Sequence, residues 1–307
     1  MVSFSKRMMH DKSAANCPIC ASSDVRFARP LFDEYKLLAC VSCGGKFCSP
    51  FMPPSAGFYA GASDMGSNSR HSGHTSWYPT HPARQSDVFA KGKKGRLLDV
   101  GCGNGAFAEF ASGAGYEVIG LDVDATSIEI ARSREIPGAS FHCMSLEEFS
   151  GSESGVGQFD VITMFEVFEH LANPAATLRL VKNLLRDKGL FVGSLPNIER
   201  PLMWQIHMDY EMPPYHLTYW TIRSWSEFLS RHFRFVVQRC EASIYYGYVS
   251  DILMERFKSR RLIHNTIARY LYPVEFKIEK HYALGASFYF EAISQRVGGL
   301  QGEMRSN

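Results

Sequence analysis

The stretch that decides the fold is LLDVGCGNGA, residues 97–106. Its apolar start predicts a buried strand, and the alternate glycines that follow predict a tight turn before a helix. Glycine has no Cβ atom, so the backbone of such a turn can pass close to a ligand. Gly101, Gly103 and Ala106 also satisfy the dinucleotide fingerprint G-x-G-x-x-G/A, so the turn alone leaves the class of cofactor open.

Two carboxylates near this turn help to decide which class of cofactor it binds. Asp99 stands two residues before the first glycine, where a dinucleotide-binding strand would be apolar, and Gly105 adds a third alternate glycine. Asp122 ends the next apolar run, VIGLDVD at residues 118–124, where a carboxylate can accept both hydroxyls of a ribose. These features distinguish the turn from an ordinary dinucleotide site.

Strands and helices alternate from Arg96 onward, which predicts right-handed crossovers and a parallel sheet covered on both faces. A helix over 174–187 is marked by Asn173 as N-cap, Pro174 at its first position and Gly189 just past its end. The sequence therefore predicts a doubly wound, Rossmann-like α/β domain.

Four segments together, LLDVGCGNG, GLDVD, FDVITMFEVFEHL and LLRDKGLFVGSLPN, resemble the class I S-adenosylmethionine-dependent methyltransferases over residues 90–295. The resemblance implies a mostly parallel seven-stranded sheet and S-adenosylmethionine as cofactor. It implies that Gly101, Gly103 and Gly105 admit the methionine moiety, that Asp99 orients the loop or the ammonium group, and that Asp122 holds the ribose.

The same resemblance implies three further contacts with the cofactor. Ser145 and Leu146 would flank the adenine, and Phe165 would pack near the methionine. Plain core packing is the alternative for Leu146 and Phe165, because large apolar residues are usually buried.

A candidate catalytic segment, Glu166-Val-Phe-Glu169-His170, follows the fourth strand of this sheet at its carboxyl edge. If it is helical, Glu166 shares one face with Glu169 and His170. The group could bind a divalent ion, or His170 could act as general base. The motif is similar to the metal site of ubiquinone-pathway O-methyltransferases. It is also similar to the metal site of enzymes that methylate the 2′-hydroxyl at small-RNA ends, and in these RNA enzymes a second histidine completes the site.

His216, within PPYHLTYW at residues 213–220, is the candidate second histidine. The prolines and aromatic residues around it are typical of a substrate-facing loop. Alternatively, His216 is a hydrogen-bonded histidine in an aromatic cluster, and Glu169 with His170 caps a helix. The sequence thus nominates Glu166, His170 and His216 as catalytic, and these three with Glu169 as a candidate divalent-metal site.

Five cysteines cluster near the start of the chain. Four of them give the spacing C-x2-C-x19-C-x2-C, which is typical of a closed four-thiolate zinc site with a structural role: Cys17, Cys20, Cys40 and Cys43. A redox dithiol pair is the weaker alternative, because two matched pairs are present. Cys48 is a spare ligand or an ordinary cysteine.

The chain divides into three parts by pattern. We expect a zinc ribbon over 14–50, a Ser-, Gly-, Pro- and His-rich linker or lid over 51–90, and the methyltransferase domain over 91–297 with a helical insert at 249–281. The insert holds seven Lys and Arg against four Asp and Glu. It could be a substrate lid, a homodimer face or a contact with an anionic surface, and a solvated helical face is the default.

The 307 residues carry a net charge of +2, which supplies no general attraction to nucleic acid or membrane. Neither a membrane-spanning apolar run nor a signal peptide is evident, so we expect a cytoplasmic protein. A tight basic cluster occurs only at Lys91, Lys93, Lys94 and Arg96, whereas RNA binding predicts a concentrated patch.

For the acceptor, the zinc ribbon with PPYHLTYWT downstream resembles bacterial methyltransferases that modify sugars, sugar nucleotides or polysaccharide precursors. It is also similar to sugar C-methyltransferases, which continue into a further domain that this length does not hold. The expected reaction is therefore O-methylation of a small polar acceptor such as a carbohydrate. The alternatives are an RNA methyltransferase that grips nucleic acid with its ribbon, a non-catalytic cofactor-binding scaffold, and a nicotinamide-dependent oxidoreductase.

Overall fold

The computed structural model describes residues 16–31, 35–52, 82–152, 157–200, 211–244, 248–282 and 284–295. Most of the expected linker over 51–90 therefore lies outside the described residues. Its end forms two short helical turns at Pro82–Gln85 and Asp87–Phe89.

The centre of the structure is a seven-stranded sheet. Its five parallel strands are β4 (Gly95–Val100), β5 (Tyr116–Asp122), β6 (Ala139–Cys143), β7 (Phe159–Phe165) and β8 (Leu185–Pro196). Two antiparallel strands extend one edge: β10 (Phe235–Ile244) and β11 (Ser287–Ser294). The strands lie in the order β10-β11-β8-β7-β4-β5-β6. The architecture confirms the fold class expected from the sequence.

Helices connect the parallel strands and cover both faces of the sheet. The four connecting helices are α1 (Ala106–Ala114), α2 (Ala125–Ser133), α3 (Leu146–Ser152) and α4 (Pro174–Leu184). A fifth helix, α5 (Ile222–His232), leads into the antiparallel strand β10. Neighbouring residues on one strand point to opposite faces, so Leu97 belongs to one buried apolar cluster and Leu98 to another.

Capping residues that are recognisable in the sequence mark the start of most of these helices. The Asn173 side chain caps α4 by accepting a hydrogen bond from the Ala176 amide, with Pro174 in the first turn. Thr221 and Ser224 form a reciprocal capping box at the start of α5. The first helix begins at Gly105, in the left-handed region at φ +78°, which a glycine adopts without steric cost.

Helix α4 ends earlier than the 174–187 expected. Leu185 already has extended backbone angles, is fully buried and pairs with Phe159 of β7, so β8 follows the helix without a loop. Lys188 then takes a positive φ of +60° where the register between β7 and β8 shifts. Burial of Leu185 in the sheet thus outweighs the helix-end signal of Gly189.

A second, four-stranded antiparallel sheet holds the cysteine-rich segment. Its strands are β1 (Val25–Pro30), β2 (Lys36–Cys40), β3 (Lys46–Ser49) and β9 (Thr218–Tyr219) in that order. The last strand comes from the α/β part of the chain, so the hydrogen bonds between β3 and β9 join the cysteine-rich segment to that part.

Between β10 and β11 the chain forms α6 (Tyr248–Arg256), α7 (Arg261–Thr266), a π-helical turn at Ile267–Leu271 and α8 (Tyr272–Tyr282). Several large apolar side chains of this segment are exposed, including Leu262, Tyr270, Val274 and Tyr282. Among the described helices, none combines the length and the hydropathy needed to cross a bilayer.

Candidate functional site

The glycine loop lies between β4 and α1, at the carboxyl edge of the central sheet. Gly101, Gly103 and Gly105 have φ values of +76°, +51° and +78°, which side chains with a Cβ rarely adopt. A Cβ at Gly101 would overlap the side chain of Val167, and no heavy atom lies within 4 Å of the Cβ position at Gly103. The loop is therefore tightly packed at its first glycine and open at its second.

Asp99 carries a buried carboxylate at the end of β4, two residues before the first glycine of this loop. Its Oδ1 accepts a 2.7 Å hydrogen bond from the Thr163 hydroxyl, while Oδ2 is buried and accepts none from the described residues. Burial raises the pKa of Asp99 from its usual 3.8 to about 7, and the nearby Asp122 adds to the rise. An unsatisfied buried oxygen of this kind suits a cationic or hydrogen-donating ligand.

Asp122 ends β5 and ties the glycine loop to the neighbouring strand. Its carboxylate accepts 2.9 Å hydrogen bonds from the amides of Gly103 and Asp124. The side chain thus stands at the end of the strand where the sequence predicts a ribose contact, with both oxygens occupied by backbone donors.

The three residues expected beside the adenine and methionine are placed at the same edge. Ser145 is half-buried and caps α3, because its hydroxyl oxygen accepts a 3.2 Å hydrogen bond from the Glu148 amide and its own amide donates to the Glu148 carboxylate. Leu146 is 3% exposed and packs in the core. Phe165 is half-buried, with its ring 4.8 Å from that of Phe107 in the glycine-loop helix.

The segment 166–170 does not form the helical face considered above. Glu166 takes a left-handed φ of +54°, and a single tight helical turn spans Phe168–His170. The Glu166 carboxylate turns toward β8 and β11, where it accepts hydrogen bonds from Ser194 at 2.7 Å and Ser287 at 3.2 Å. Glu166 therefore lies apart from Glu169 and His170, and burial raises its pKa to about 7.

Glu169, His170 and His216 converge into one cluster. Glu169 is 1% exposed, and its Oε1 lies 3.7 Å from Nε2 of His170 and 4.0 Å from Nε2 of His216. One ligand atom from each residue lies within 4.8 Å of those of the other two. Three ligands bound at about 2.1 Å in a tetrahedron stand about 3.4 Å apart, so a small closure would suffice to hold an ion.

The tautomer of His170 is set by a backbone carbonyl. Its Nδ1 lies 2.7 Å from the carbonyl oxygen of Tyr215, and a carbonyl oxygen can only accept, so Nδ1 must donate. In the neutral ring Nε2 then presents a lone pair toward the Glu169 carboxylate. A proton taken up by His170, or a metal ion bound between the two atoms, would be stabilised by this carboxylate.

The four paired cysteines also converge. The Sγ atoms of Cys17 and Cys43 are 3.7 Å apart, those of Cys20 and Cys40 are 3.6 Å apart, and all four lie within 4.8 Å of one another. Four thiolates bound at about 2.3 Å to a tetrahedral zinc ion would be about 3.8 Å apart. The residues present therefore fit a closed four-thiolate zinc site.

Cys48 does not join this group. It is fully buried in β3, its thiol lies 3.3 Å from the Pro50 carbonyl oxygen, and burial raises its pKa to about 12. Of the two alternatives for Cys48, this placement favours the ordinary buried cysteine.

Three residues that shape the site were not predicted from the sequence. Tyr215 acts through its backbone carbonyl, and Ser194 and Ser287 bond Glu166 from different strands. The position of Ser194 at the end of a parallel strand is the one available signal, since such ends line ligand sites.

Comparison with known proteins agrees with this geometry. A family described as a methyltransferase domain matches residues 78–233, just over half of the chain. The chain is 34% identical over 97 residues to the ubiquinone biosynthesis O-methyltransferase of Aromatoleum aromaticum, which covers 31% of this chain and 41% of that protein. It is 35% identical over 111 residues to the enzyme of the same name from Glaesserella parasuis, covering 34% and 46%. The chain thus spans less than half the length of these two relatives.

Solved structures share the fold at low sequence identity. The [4+2]-cyclase SpnF superposes with a TM-score of 0.54 and 17% identity, over 80% of this chain and 98% of that one. A chain from the complex of the Haloferax volcanii Trm112 methyltransferase activator gives 0.52 and 15%, over 80% and 99%. The seven-stranded sheet, the glycine loop that follows Asp99 and is bonded by Asp122, and the family match together establish that the chain belongs to the class I S-adenosylmethionine-dependent methyltransferases.

Proposed function

We propose that the protein transfers the methyl group of S-adenosylmethionine to a hydroxyl oxygen of its acceptor. The observation that carries this proposal is the contact between the glycine loop and the segment that carries Glu169 and His170. Val167 packs on Gly101 of the cofactor loop, and the next three residues form the turn that carries Glu169 and His170. A methyl donor in the loop would therefore lie beside two imidazoles and a carboxylate.

S-adenosylmethionine supplies an electrophilic methyl group on a sulfonium that leaves as a neutral thioether. The protein needs to bind, to orient and to remove one proton. Gly103 leaves space for the methionine moiety, Asp99 offers its free oxygen to the ammonium group or the loop, and Asp122 is the ribose ligand. Ser145, Leu146 and Phe165 border the adenine and the methionine chain.

The cluster of Glu169, His170 and His216 removes the proton from the acceptor hydroxyl. As the new carbon–oxygen bond forms, the acceptor proton passes to Nε2 of His170 or His216, and Glu169 stabilises the resulting imidazolium. A divalent ion held by Glu169, His170 and His216 would instead lower the pKa of the hydroxyl. Glu166 contributes from outside the cluster, by fixing Ser194 and Ser287 at the adjoining strand ends.

For the acceptor we propose a small polar molecule such as a sugar, sugar nucleotide or glycan precursor. One support is the order of a cysteine ribbon followed by the PPYH segment, which resembles that of sugar-modifying methyltransferases. A second support is the set of polar side chains at the carboxyl edge of the sheet, including Glu166, Ser194 and Asn197. The names of the matched relatives support oxygen as the methylated atom, and they favour a hydroxyl on a ubiquinone precursor as the second candidate.

An RNA acceptor is less well supported. The basic cluster of Lys91, Lys93, Lys94 and Arg96 lies at the amino end of β4, whereas the cofactor loop follows its carboxyl end at Val100. Six strand residues at about 3.3 Å each separate the two by about 20 Å. An RNA strand bound by this basic cluster would thus lie at the edge of the sheet opposite the methyl donor.

The test uses radiolabelled S-adenosylmethionine with separated cell fractions: nucleotide sugars, lipid-linked glycans, quinone-containing lipids and RNA. Label in the first two fractions supports the proposed acceptor, label in quinone-containing lipids supports the second candidate, and label only in RNA refutes both. Thermal stabilisation by NAD(H) instead of S-adenosylmethionine would point to an oxidoreductase. Cofactor binding without any transfer would point to a scaffold.

A further inference from the structure

The cysteine-rich sheet is completed by a strand that directly follows the candidate catalytic histidine. In β9, Thr218 pairs with Phe47 and Tyr219 pairs with Lys46, both on strand β3 of the ribbon. His216 precedes this strand by two residues. The ribbon and the active-site loop therefore share one antiparallel ladder.

Leu217 joins the ribbon to the site through its own peptide groups. Its carbonyl oxygen accepts a 2.9 Å hydrogen bond from the Cys48 amide, and its amide donates a 2.8 Å hydrogen bond to the carbonyl oxygen of Glu169. The residue is fully buried. A continuous path of main-chain hydrogen bonds thus runs from the ribbon strand to the residue that faces both histidines.

Two further contacts fix the same junction. The hydroxyl of Thr218 lies 3.4 Å from the Phe168 carbonyl oxygen, which adds a hydrogen bond between β9 and the helical turn at Phe168–His170. On the outer side, the Arg231 guanidinium of α5 donates a 2.8 Å hydrogen bond to the carbonyl oxygen of Ser42, between the second pair of cysteines. The buried ring of Phe47 belongs to the same apolar core as Trp220.

The ribbon strands have few means of holding their own shape. β1 is largely exposed, and the buried apolar side chains of the ribbon apart from its cysteines are Ile19, Leu37 and Phe47 among the described residues. A core this small does not order a chain without a metal or a disulfide. The shape of β3, and hence its ladder with β9, should depend on the metal bound by the four cysteines.

We propose that the zinc-bound ribbon is a positioning element of the active site, which holds His216 opposite Glu169 and His170 through Cys48 and Leu217. The inference rests on the proposed methyl transfer for its kinetic consequence. Its structural consequence is independent of that reaction: loss of the ribbon metal should loosen the His216 loop and leave the cofactor loop unaffected.

The first test compares the zinc-loaded full chain with Cys20→Ser, and uses Cys143→Ser as the control for loss of a thiol outside the cluster. Hydrogen–deuterium exchange is followed by mass spectrometry in peptides that cover 46–49, 217–219 and 97–106. We expect Cys20→Ser to exchange at least about tenfold faster in the first two peptides and at the wild-type rate in the third. Binding of S-adenosylhomocysteine should be unchanged.

The second test leaves the metal ligands intact, in case Cys20→Ser fails to fold. Arg231 and Arg223 both pair with Glu227 on α5, but only Arg231 also bonds Ser42. Arg231→Ala should speed exchange at 46–49 and 217–219 by a few-fold with full zinc content, and Arg223→Ala should not. In the methyl-transfer assay Arg231→Ala should lower kcat with KM for S-adenosylmethionine unchanged.

The outcomes separate this inference from the proposed reaction. Unchanged exchange at 217–219 in both Cys20→Ser and Arg231→Ala would overturn the positioning role, even if methyl transfer is observed. Faster exchange at 217–219 without methyl transfer to any acceptor would support the role and refute the proposed function. Equal loosening of 97–106 and 217–219 would indicate general destabilisation and would also overturn it.

Discussion

Nδ1 of His170 lies 2.7 Å from the carbonyl oxygen of Tyr215, a residue 45 positions further along the chain. This one hydrogen bond fixes the tautomer of the candidate catalytic histidine and joins the Phe168–His170 turn to the loop that carries His216. It leaves Nε2 of His170 as the atom that faces Glu169.

Substitution of either histidine should separate catalysis from cofactor binding. We expect His170→Ala and His216→Ala each to lower kcat by about 100- to 10,000-fold, because proton removal in the transition state contributes about that much. Affinity for S-adenosylhomocysteine, measured by calorimetry, should stay within a few-fold of wild type. Wild-type turnover in both variants would remove the two residues from the mechanism.

Glu166 provides a comparison within the same segment. Its carboxylate bonds Ser194 and Ser287 and does not face the histidines, so Glu166→Gln should keep most of these contacts. We expect kcat to fall by less than about tenfold, the size of one weakened hydrogen bond. A loss as large as that of His170→Ala would instead place Glu166 among the catalytic residues.

Asp99 should make both stability and cofactor affinity depend on pH. A pKa raised from 3.8 to about 7 means that the folded state holds the proton more tightly, so stability falls as pH rises between these values. The shift corresponds to about 4 kcal/mol. Asp99→Asn removes this loss but leaves a buried amide unpaired at a cost of about 1–3 kcal/mol, so the cofactor-free variant should be more stable than wild type at pH 8.

Near and below pH 4 the wild type should instead be the more stable protein, because the folded state then keeps Asp99 protonated with little loss, while the amide of Asp99→Asn stays unpaired. Affinity for S-adenosylhomocysteine should increase as pH rises to about 7 in the wild type and should lose that dependence in Asp99→Asn. Scanning calorimetry over pH 3–8 measures the stability, and titration calorimetry over pH 5–8 measures the affinity. A flat profile in the wild type would show that the carboxylate does not face the ligand's ammonium group.

The central sheet was predictable because its signals are local. Short apolar runs, capping residues such as Asn173 and Thr221, and the glycines after β4 each act within a few residues of the element that they specify. The same holds for the four candidate zinc ligands, whose C-x-x-C spacing marks them in the sequence and whose sulfur atoms the structure brings together.

The assembly of the site was not predictable in the same way. Local spacing suggested that Glu166 joins Glu169 and His170, but the bonds from Ser194 and Ser287 turn its carboxylate aside. Likewise, no pattern near His216 indicates that the next residues pair with a strand near the start of the chain. Pairings between distant segments depend on how the whole chain packs, and a single sequence records them only indirectly.

The glycine loop gives a prediction with a control in the following helix. Gly101→Ala adds a Cβ that overlaps Val167 at a φ of +76°, so we expect a lower Tm and at least about a tenfold loss of affinity for S-adenosylhomocysteine. Gly113→Ala, within α1 and with no atom within 4 Å of its Cβ position, should instead stabilise the protein by about 0.5–1 kcal/mol. Unimpaired binding in Gly101→Ala would argue against the loop as the cofactor site.

The metal content of the ribbon gives the last prediction. Cys17 is 2% exposed, and its sulfur lies 3.7 Å from that of Cys43, so Cys17→Ser removes one of four ligands from a closed site. We expect the wild-type chain to contain one equivalent of zinc per chain and Cys17→Ser to contain far less. Residues 16–50 of the variant should become sensitive to protease, because metal binding and folding are coupled in so small a sheet. Cys48→Ala serves as the matched control: its thiol is buried in the same sheet but lies outside the cluster, so it should keep the metal. A full equivalent of zinc in Cys17→Ser would contradict the assignment of all four cysteines as ligands.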